Sequence, residues 1–217
     1  MTSISEKDAL ELLEKRFGKY RPDWKRSISD HSIIVHDLAL FLARKIMKKG
    51  YKADLKLLGT ACLLHDIGYA TTKESIKHGV ESARVLRDEG LEKEARAAEC
   101  HIGIGISPED AEKLGLGYND YMPKTIEEKI LCYADNLDFF NRKTKKHAIK
   151  DSKAVEERFG SELGEKYRRR TEEFNRIIED MAGEKGMDKF RSYVKEYNTR
   201  LAAWHKLKLQ DMVSETL

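Results

Sequence analysis

Histidine and aspartate stand side by side at His65-Asp66, directly after the apolar pair Leu63-Leu64 and just before Ile67-Gly68. An imidazole binds one metal ion through a single nitrogen, whereas a carboxylate has two oxygens and can reach that ion while bridging to a neighbour. On a helix, adjacent residues diverge by about 100°, so the two side chains would divide the labour. Such a dipeptide arises by chance in many chains; what sets this one apart is its company. His31, His78, His101 and Asp135 also interrupt apolar stretches with helical spacing. Asp135 falls among Leu131, Ala134 and Leu137, where a charge is costly unless paired or metal-bound. His31 and His36 lie roughly 140° apart around one helix, so at most one faces a given site. We expect His31 to do so, and His36 to sit in a satisfied polar environment.

The elements that must position these residues read as helices. Ser5 to Phe17 is a short amphipathic helix with Ser5 as cap and Gly18 as stop. A longer apolar pattern follows Pro22 and ends at Gly50; it carries His31 and His36. Ala53 to Ile67 forms the next helix, broken by Gly68, and Tyr69 to Lys77 is a polar loop delivering His78 to the head of a helix that runs to Gly90. Glu92 to His101 is another, with His101 at its end before Gly103 and Gly105. Ser107-Pro108 opens a short helix, and Thr125 with Glu128 forms a capping box for the helix that carries Asp135. From Arg142 onward the chain is heavily charged and reads as two long helical stretches separated near Gly183 to Gly186. Their packing seams are Phe174, Ile177, Ile178 and Met181, then Phe190, Tyr193, Val194, Tyr197 and Leu201. No strand alternation or internal repeat is evident, so the expected class is all-α.

With 217 residues the chain is expected to form one large domain. The charges nearly balance, leaving a formal net charge of +3, which makes no case for a nucleic-acid or acidic-membrane partner. Cys62, Cys100 and Cys132 are widely spaced in apolar surroundings and read as reduced core thiols. No apolar run is long enough to cross a bilayer and no secretion signal opens the chain, so the cytoplasm is the expected location. His147 and His205 lie in charged stretches and read as surface residues.

The order His31, His65-Asp66, His78, His101, Asp135 resembles the HD-domain superfamily of metal-dependent phosphohydrolases. The resemblance extends to His31-Ser32-Ile33-Ile34-Val35, to His65-Asp66-Ile67-Gly68 and to Tyr133-Ala134-Asp135-Asn136-Leu137, and covers roughly residues 20 to 140. The stretches from His101 to Ile106 and from Tyr121 to Ile130 look like an archaeal subgroup of small HDIG-type proteins. The resemblance implies an HD-domain helical bundle over residues 1–141, including the N-terminal helix, and a charged helical extension over 142–217 packed on the same domain. It implies one divalent metal held by His31, His65, Asp66 and Asp135, with His78 and His101 matching the positions that add a second. Imidazole and carboxylate donors without thiolate suit iron, manganese, nickel, cobalt or zinc alike; iron or manganese is the first expectation. The implied reaction is hydrolysis of a phosphate ester or anhydride of a small nucleotide by metal-activated hydroxide, with Asp66 bridging and orienting that hydroxide. Lys73, Lys77, Arg84 and Arg142 are the candidate phosphate clamps. Tyr69 stands where many family members carry a lysine, so their phosphate contacts do not carry over at that position; His101 is not doubled and no Gly-Tyr-Pro signature appears, which argues against cyclic dinucleotides as substrate. Two other readings are a di-iron oxygenase of the same fold and a binding module using the basic segments 142–150 and 166–170, of which a solvated charged face is the simpler account. The resemblance also implies a homo-oligomer through the C-terminal helices.

Overall fold

The computed structural model describes residues 4–214; the side chains of 22–26 and 205–214 fall outside that description, and His205 is among them. The first helix, α1 (Glu6–Tyr20), is capped by the Ser5 hydroxyl, which accepts from the Asp8 N–H. It buries Ala9, Leu13 and Phe17, with Leu10 half-buried beside them, and each large side chain so buried contributes about 1.5–3 kcal/mol. Gly18 does not stop it. The helix runs on to Tyr20 because an interior glycine costs only about 1 kcal/mol; the chain breaks at Arg21, next to the ring of a proline that excludes helical backbone before it.

The long α2 (Pro22–Met47) lies against α3 (Leu55–Leu64), whose N-terminus is capped by Asp54. After α3 come a 3-10 turn (Ile67–Ala70), α4 (His78–Asp88), α5 (Glu92–Glu99), the short α6 (Pro108–Lys113) and α7 (Ile126–Leu137). The Thr125–Glu128 capping box is present at the start of α7. One apolar cluster joins α1, the end of α3, α4 and α5 through Leu13, Phe17, Leu64, Leu86 and Ala95. A second joins α2, α3 and α7 to the C-terminal helices through Leu38, Leu58, Leu131, Phe174 and Phe190. None of the described helices is long and apolar enough to cross a bilayer.

The fold is all-α apart from one small hairpin that the sequence did not announce. Strand β1 (Asp138–Asn141) pairs antiparallel with β2 (Lys146–Ile149), in register Asp138 to Ile149 and Asn141 to Lys146. Each strand is four residues long, too short for an alternation signal, and β2 hides its inward face between lysines. Three helices follow: α8 (Ser152–Leu163), α9 (Glu165–Ala182) and α10 (Glu184–Ser214). The first of the two expected stretches is split at Gly164, whose φ of +94° suits glycine and breaks the helix. Along α9, Phe174 and Ile178 are buried but Ile177 is 49% exposed and does not belong to the seam.

Candidate metal centre

The helix carrying His65 ends one residue before it, not at Ile67. Asp66 takes φ −98° and ψ 6°, between the helical and extended regions, and the chain tightens into the 3-10 turn. This break resolves the divergence expected of neighbours on a helix: leaving the helix lets His65 and Asp66 reach one centre. Gly68 makes the turn possible, because a Cβ there would lie 2.2 Å from the His78 carbonyl and 2.4 Å from the Ser82 nitrogen. Its N–H donates to the Ser82 hydroxyl at 2.8 Å, joining the turn to α4 and so to His78.

All six candidate ligands converge. His31 comes from α2, His78 is the first residue of α4, His101 follows α5 and Asp135 lies on α7. His31 Nε2 is 3.2 Å from His65 Nε2 and 3.0 Å from Asp135 Oδ1, while His65 Nε2 is 3.5 Å from the same oxygen. His78 Nε2 is 2.8 Å from His101 Nε2. Asp66 stands between the two groups: Oδ1 is 3.1 Å from His78 Nε2 and 3.4 Å from His101 Nε2, and Oδ2 is 3.6 Å from His31 Nε2.

The ring orientations follow from hydrogen bonds on the far side. His65 Nδ1 donates to the Cys62 carbonyl at 2.7 Å, His78 Nδ1 to that of Ser75 and His101 Nδ1 to that of Ala98, each three residues back. His31 Nδ1 donates instead to Asp138 Oδ2 at 2.8 Å. With every Nδ1 carrying a proton, every Nε2 turns its lone pair to the middle, an arrangement that orients metal-bound histidines generally. Nitrogen pairs this close, facing carboxylate oxygens, need a shared cation or proton between them. The donor set therefore fits divalent ions of the imidazole- and carboxylate-binding kind, and three triads among the described residues, His31–His65–Asp135, His65–Asp66–His101 and His31–Asp138–His147, are each compact enough to hold one.

Without an ion the charges settle among themselves. Burial opposes charge on His31, yet Asp135, Asp138 and Asp66 outweigh it and raise its pKa well above the ordinary value. His65 is raised likewise, burial being overcome by Asp66 and Asp135. Asp66 and Asp135 are held below the usual carboxylate range despite burial, Asp66 by His65, His78 and His101 and Asp135 by His31 and His65. Burial, with His65 and His78 alongside, pushes His101 down.

A cleft of about 630 Å³ opens onto the centre, lined in part by His31, Asp66, Tyr69, Lys73, Phe140 and Arg142. Of the four candidate clamps, Lys73 and Arg142 line it. Lys77 and Arg84 do not: Lys77 pairs with Glu74 at 2.8 Å and Arg84 with Glu81 at 2.9 Å. Counting positions from a ligand gave them the right neighbourhood but not the right direction. Tyr69 stacks on His78 with centroids 4.2 Å apart. His36 lies outside the centre, in a polar setting 3.0 Å from Asp37 and 3.3 Å from Glu6, though its buried Nε2 makes no hydrogen bond among the described residues.

His147 is not a surface residue. It is 6% exposed, lines the cleft and places Nδ1 2.7 Å from Asp138 Oδ2. Sequence reasoning missed it because its neighbours Lys146 and Ala148 are exposed while it and Ile149 turn inward. Asp138 and Lys145, another lining residue, were missed too. Asp138, one helical step beyond Asp135, was open to the same question that Asp135 raised. Cys62, Cys100 and Cys132 are buried free thiols, pushed up first by burial.

The HD domain family matches residues 28–139. An uncharacterized protein of Methanocaldococcus jannaschii is 46% identical over 136 residues, 62% of this chain and 78% of that one. A tRNA (cytidine(56)-2'-O)-methyltransferase of Thermoplasma volcanium is 40% identical over 124 residues, 57% of this chain but only 35% of that protein, so the activity in its name remains its own. Among solved structures, the HD domain of the L. monocytogenes phosphodiesterase PgpH superposes with a TM-score of 0.52 at 16% identity, covering 85% of this chain and 98% of that one, which shows a shared fold. The matched segment spans His31 to Asp135 and with them the whole order of histidines and aspartates; the chain belongs to the HD-domain family, the superfamily of metal-dependent phosphohydrolases.

Proposed function

We propose that this chain hydrolyses a phosphate ester or anhydride of a small nucleotide, with one or two divalent ions, iron or manganese first, held by His31, His65, Asp66, His78, His101 and Asp135. The observation that carries the reading is that Asp66 stands within reach of four imidazoles, with Oδ1 near His65, His78 and His101 and Oδ2 near His31. A bound ion would supply Lewis acidity, polarising a phosphoryl oxygen and bringing the pKa of water toward neutrality. The chain's own part is placement. Asp66 accepts from the attacking water and orients it, while Lys73, Arg142 and Lys145 meet phosphate charge at the cleft wall. Phe140 and Tyr69 offer faces for a base, and the cleft volume suits a nucleotide. Those cations favour a phosphorylated substrate.

The test is metal analysis of protein purified without chelator, then a nucleotide panel assayed for inorganic phosphate under anaerobic conditions. Metal at one or two equivalents and phosphate release from at least one nucleotide are expected, and Asp66→Ala should lose both. Protein that takes up no divalent ion, or an Asp66→Ala variant that keeps its activity, overturns the reading; oxygen consumption with reduced iron and no phosphate release would replace it with the oxygenase.

A further inference from the structure

The hairpin that borders the metal centre at one end carries cations at the other, and both ends face the same cleft. We propose that the substrate bears a second phosphate, set apart from the one that is cleaved, and that the turn of the hairpin holds it through Arg142 and Lys145, with Lys145 selecting the substrates that carry it. The proposal rests on the hydrolase reading and narrows it to nucleotides with two or more phosphates.

Three observations carry it. The first is position. Asp138, where β1 begins, accepts from His31 Nδ1 at 2.8 Å, and His31 Nε2 lies 3.6 Å from Asp66, so this end of the hairpin stands against the ligands. Arg142 follows Asp138 by four residues, roughly 13 Å of strand at about 3.3 Å per residue. A phosphoryl group held beside Asp66 belongs at the Asp138 end. The cations of the turn therefore meet a different anionic group, and phosphate is the one that a nucleotide carries.

The second is selection among the cations themselves. Arg142, Lys143, Lys145 and Lys146 are neighbours in this turn, yet of the four Arg142 and Lys145 alone line the cleft. Neither forms an ion pair among the described residues, whereas Lys77 and Arg84 are each engaged by a glutamate. Two unpaired cations on one turn repel each other, and an anion between them relieves the repulsion while gaining charge-assisted hydrogen bonds.

The third is backbone strain. Lys145 takes φ +54°, and it is the one non-glycine among the described residues in the left-handed region. Lysine is held there at a cost that glycine would escape, and strain of this kind persists where a position is used. The turn is fixed all the same. Asn141 Oδ1 accepts from the N–H groups of Lys143 and Thr144, each at 3.0 Å. A turn already ordered presents both cations with little left to immobilise when a phosphate arrives.

The experiment measures kcat/KM for wild type, Lys145→Asn and Lys145→Arg on the mono-, di- and triphosphates and the 3′,5′-bisphosphate of one nucleoside, the one cleaved fastest in the panel above. Asparagine tolerates left-handed backbone, so Lys145→Asn removes the ammonium and keeps the turn. The quantity read is the preference for a multiply phosphorylated probe over the monophosphate. As a ratio within one protein, it is unmoved by any fraction that fails to fold. Wild type is expected to show a preference of about tenfold or more for at least one such probe, and Lys145→Asn to lose about tenfold of it. Lys145→Arg, which keeps the charge, should retain most of it. Wild type that cleaves the monophosphate as well as every other probe overturns the proposal. So does a Lys145→Asn variant whose losses are equal on all four probes, or a Lys145→Arg variant that loses as much preference as the asparagine. Each of these leaves the hydrolase reading standing. Wild type that cleaves no nucleotide removes that reading and this proposal with it.

Discussion

Asp138 and the six proposed ligands depend on one another through single hydrogen bonds, so consequences at the residue scale can be stated separately. Asp138→Asn keeps the shape but removes the charge that His31 Nδ1 meets; manganese affinity should fall about 10–100-fold, read by competition with a chelating dye, whereas His147→Asn should leave it alone. The pH dependence of binding follows from the raised pKa values of His31 and His65, which carry protons that an ion must displace. Affinity should therefore rise with pH from about 6 to 8 as those protons are lost more easily; a flat profile would mean that the rings are already neutral. Lys77 and Arg84, engaged with Glu74 and Glu81, make a useful contrast. Substituting either by alanine should leave kcat/KM within about twofold, while Arg142→Ala should raise KM about tenfold. The six donors were legible because a histidine or aspartate inside an apolar helix needs a reason. His147 was not, because a four-residue strand between lysines gives burial no pattern to write itself in.

Between elements, the close approach of the turn after α3 to α4 is the tightest constraint on the centre. Gly68→Ala would drive a methyl group into the His78 carbonyl and the Ser82 nitrogen. Since neither is a flexible side-chain end, the backbone must move. We expect a destabilisation of about 3 kcal/mol, at the upper end for overpacking, with loss of metal binding before loss of helicity, measurable by titration and circular dichroism on the same sample. The glycine was visible in the sequence as a helix stop; that α4 presses on it is a tertiary fact. A second tie links α2 to α10, where the Tyr197 hydroxyl donates to Asp37 Oδ2 at 2.9 Å and His36 Nδ1 lies 3.0 Å from Oδ1. Burial opposes charge on both members, yet Asp37 and Glu6 raise the pKa of His36, and His36 and Tyr197 lower that of Asp37. The His36 contribution is complete below about pH 6.5 and is lost as pH rises through the raised pKa. The Asp37 contribution is complete above about pH 3.9 and is lost as pH falls through the lowered one. Asp37→Asn should cost about 1 kcal/mol near pH 6 and flatten the decline in stability that urea titrations of wild type are expected to show between pH 6.5 and 8.

Over the whole molecule, the centre gathers donors from residue 31 to residue 135, and the C-terminal helices complete the core beneath them. An ion that binds the folded chain alone stabilises it by about 2.7 kcal/mol at 100 times its Kd, so saturating manganese should raise Tm by about 5–10 °C, with chelator reversing the shift. The helical character of the C-terminal region was legible from its charge and spacing. Its grip on the active cleft was not, because it runs through one asparagine. Asn198 of α10 accepts from the Ile149 N–H at 2.9 Å through Oδ1 and donates to the Ile149 carbonyl at 2.8 Å through Nδ2. Ile149 is the last residue of β2, two positions beyond His147, and β2 pairs with the strand that begins at Asp138. A helix remote in sequence thus clasps one end of the hairpin whose Asp138, Phe140 and His147 line the cleft. Asn198→Ala removes both bonds without touching the centre, so the hairpin should loosen while the six proposed ligands stay in place. We expect metal content to be unchanged, KM to rise about tenfold and amide exchange to quicken in β1 and β2 but not in α3 or α7. A variant with wild-type KM and faster exchange would show that the hairpin needs no such anchor to hold substrate, and a variant that loses metal would show that the clasp reaches further than the strand.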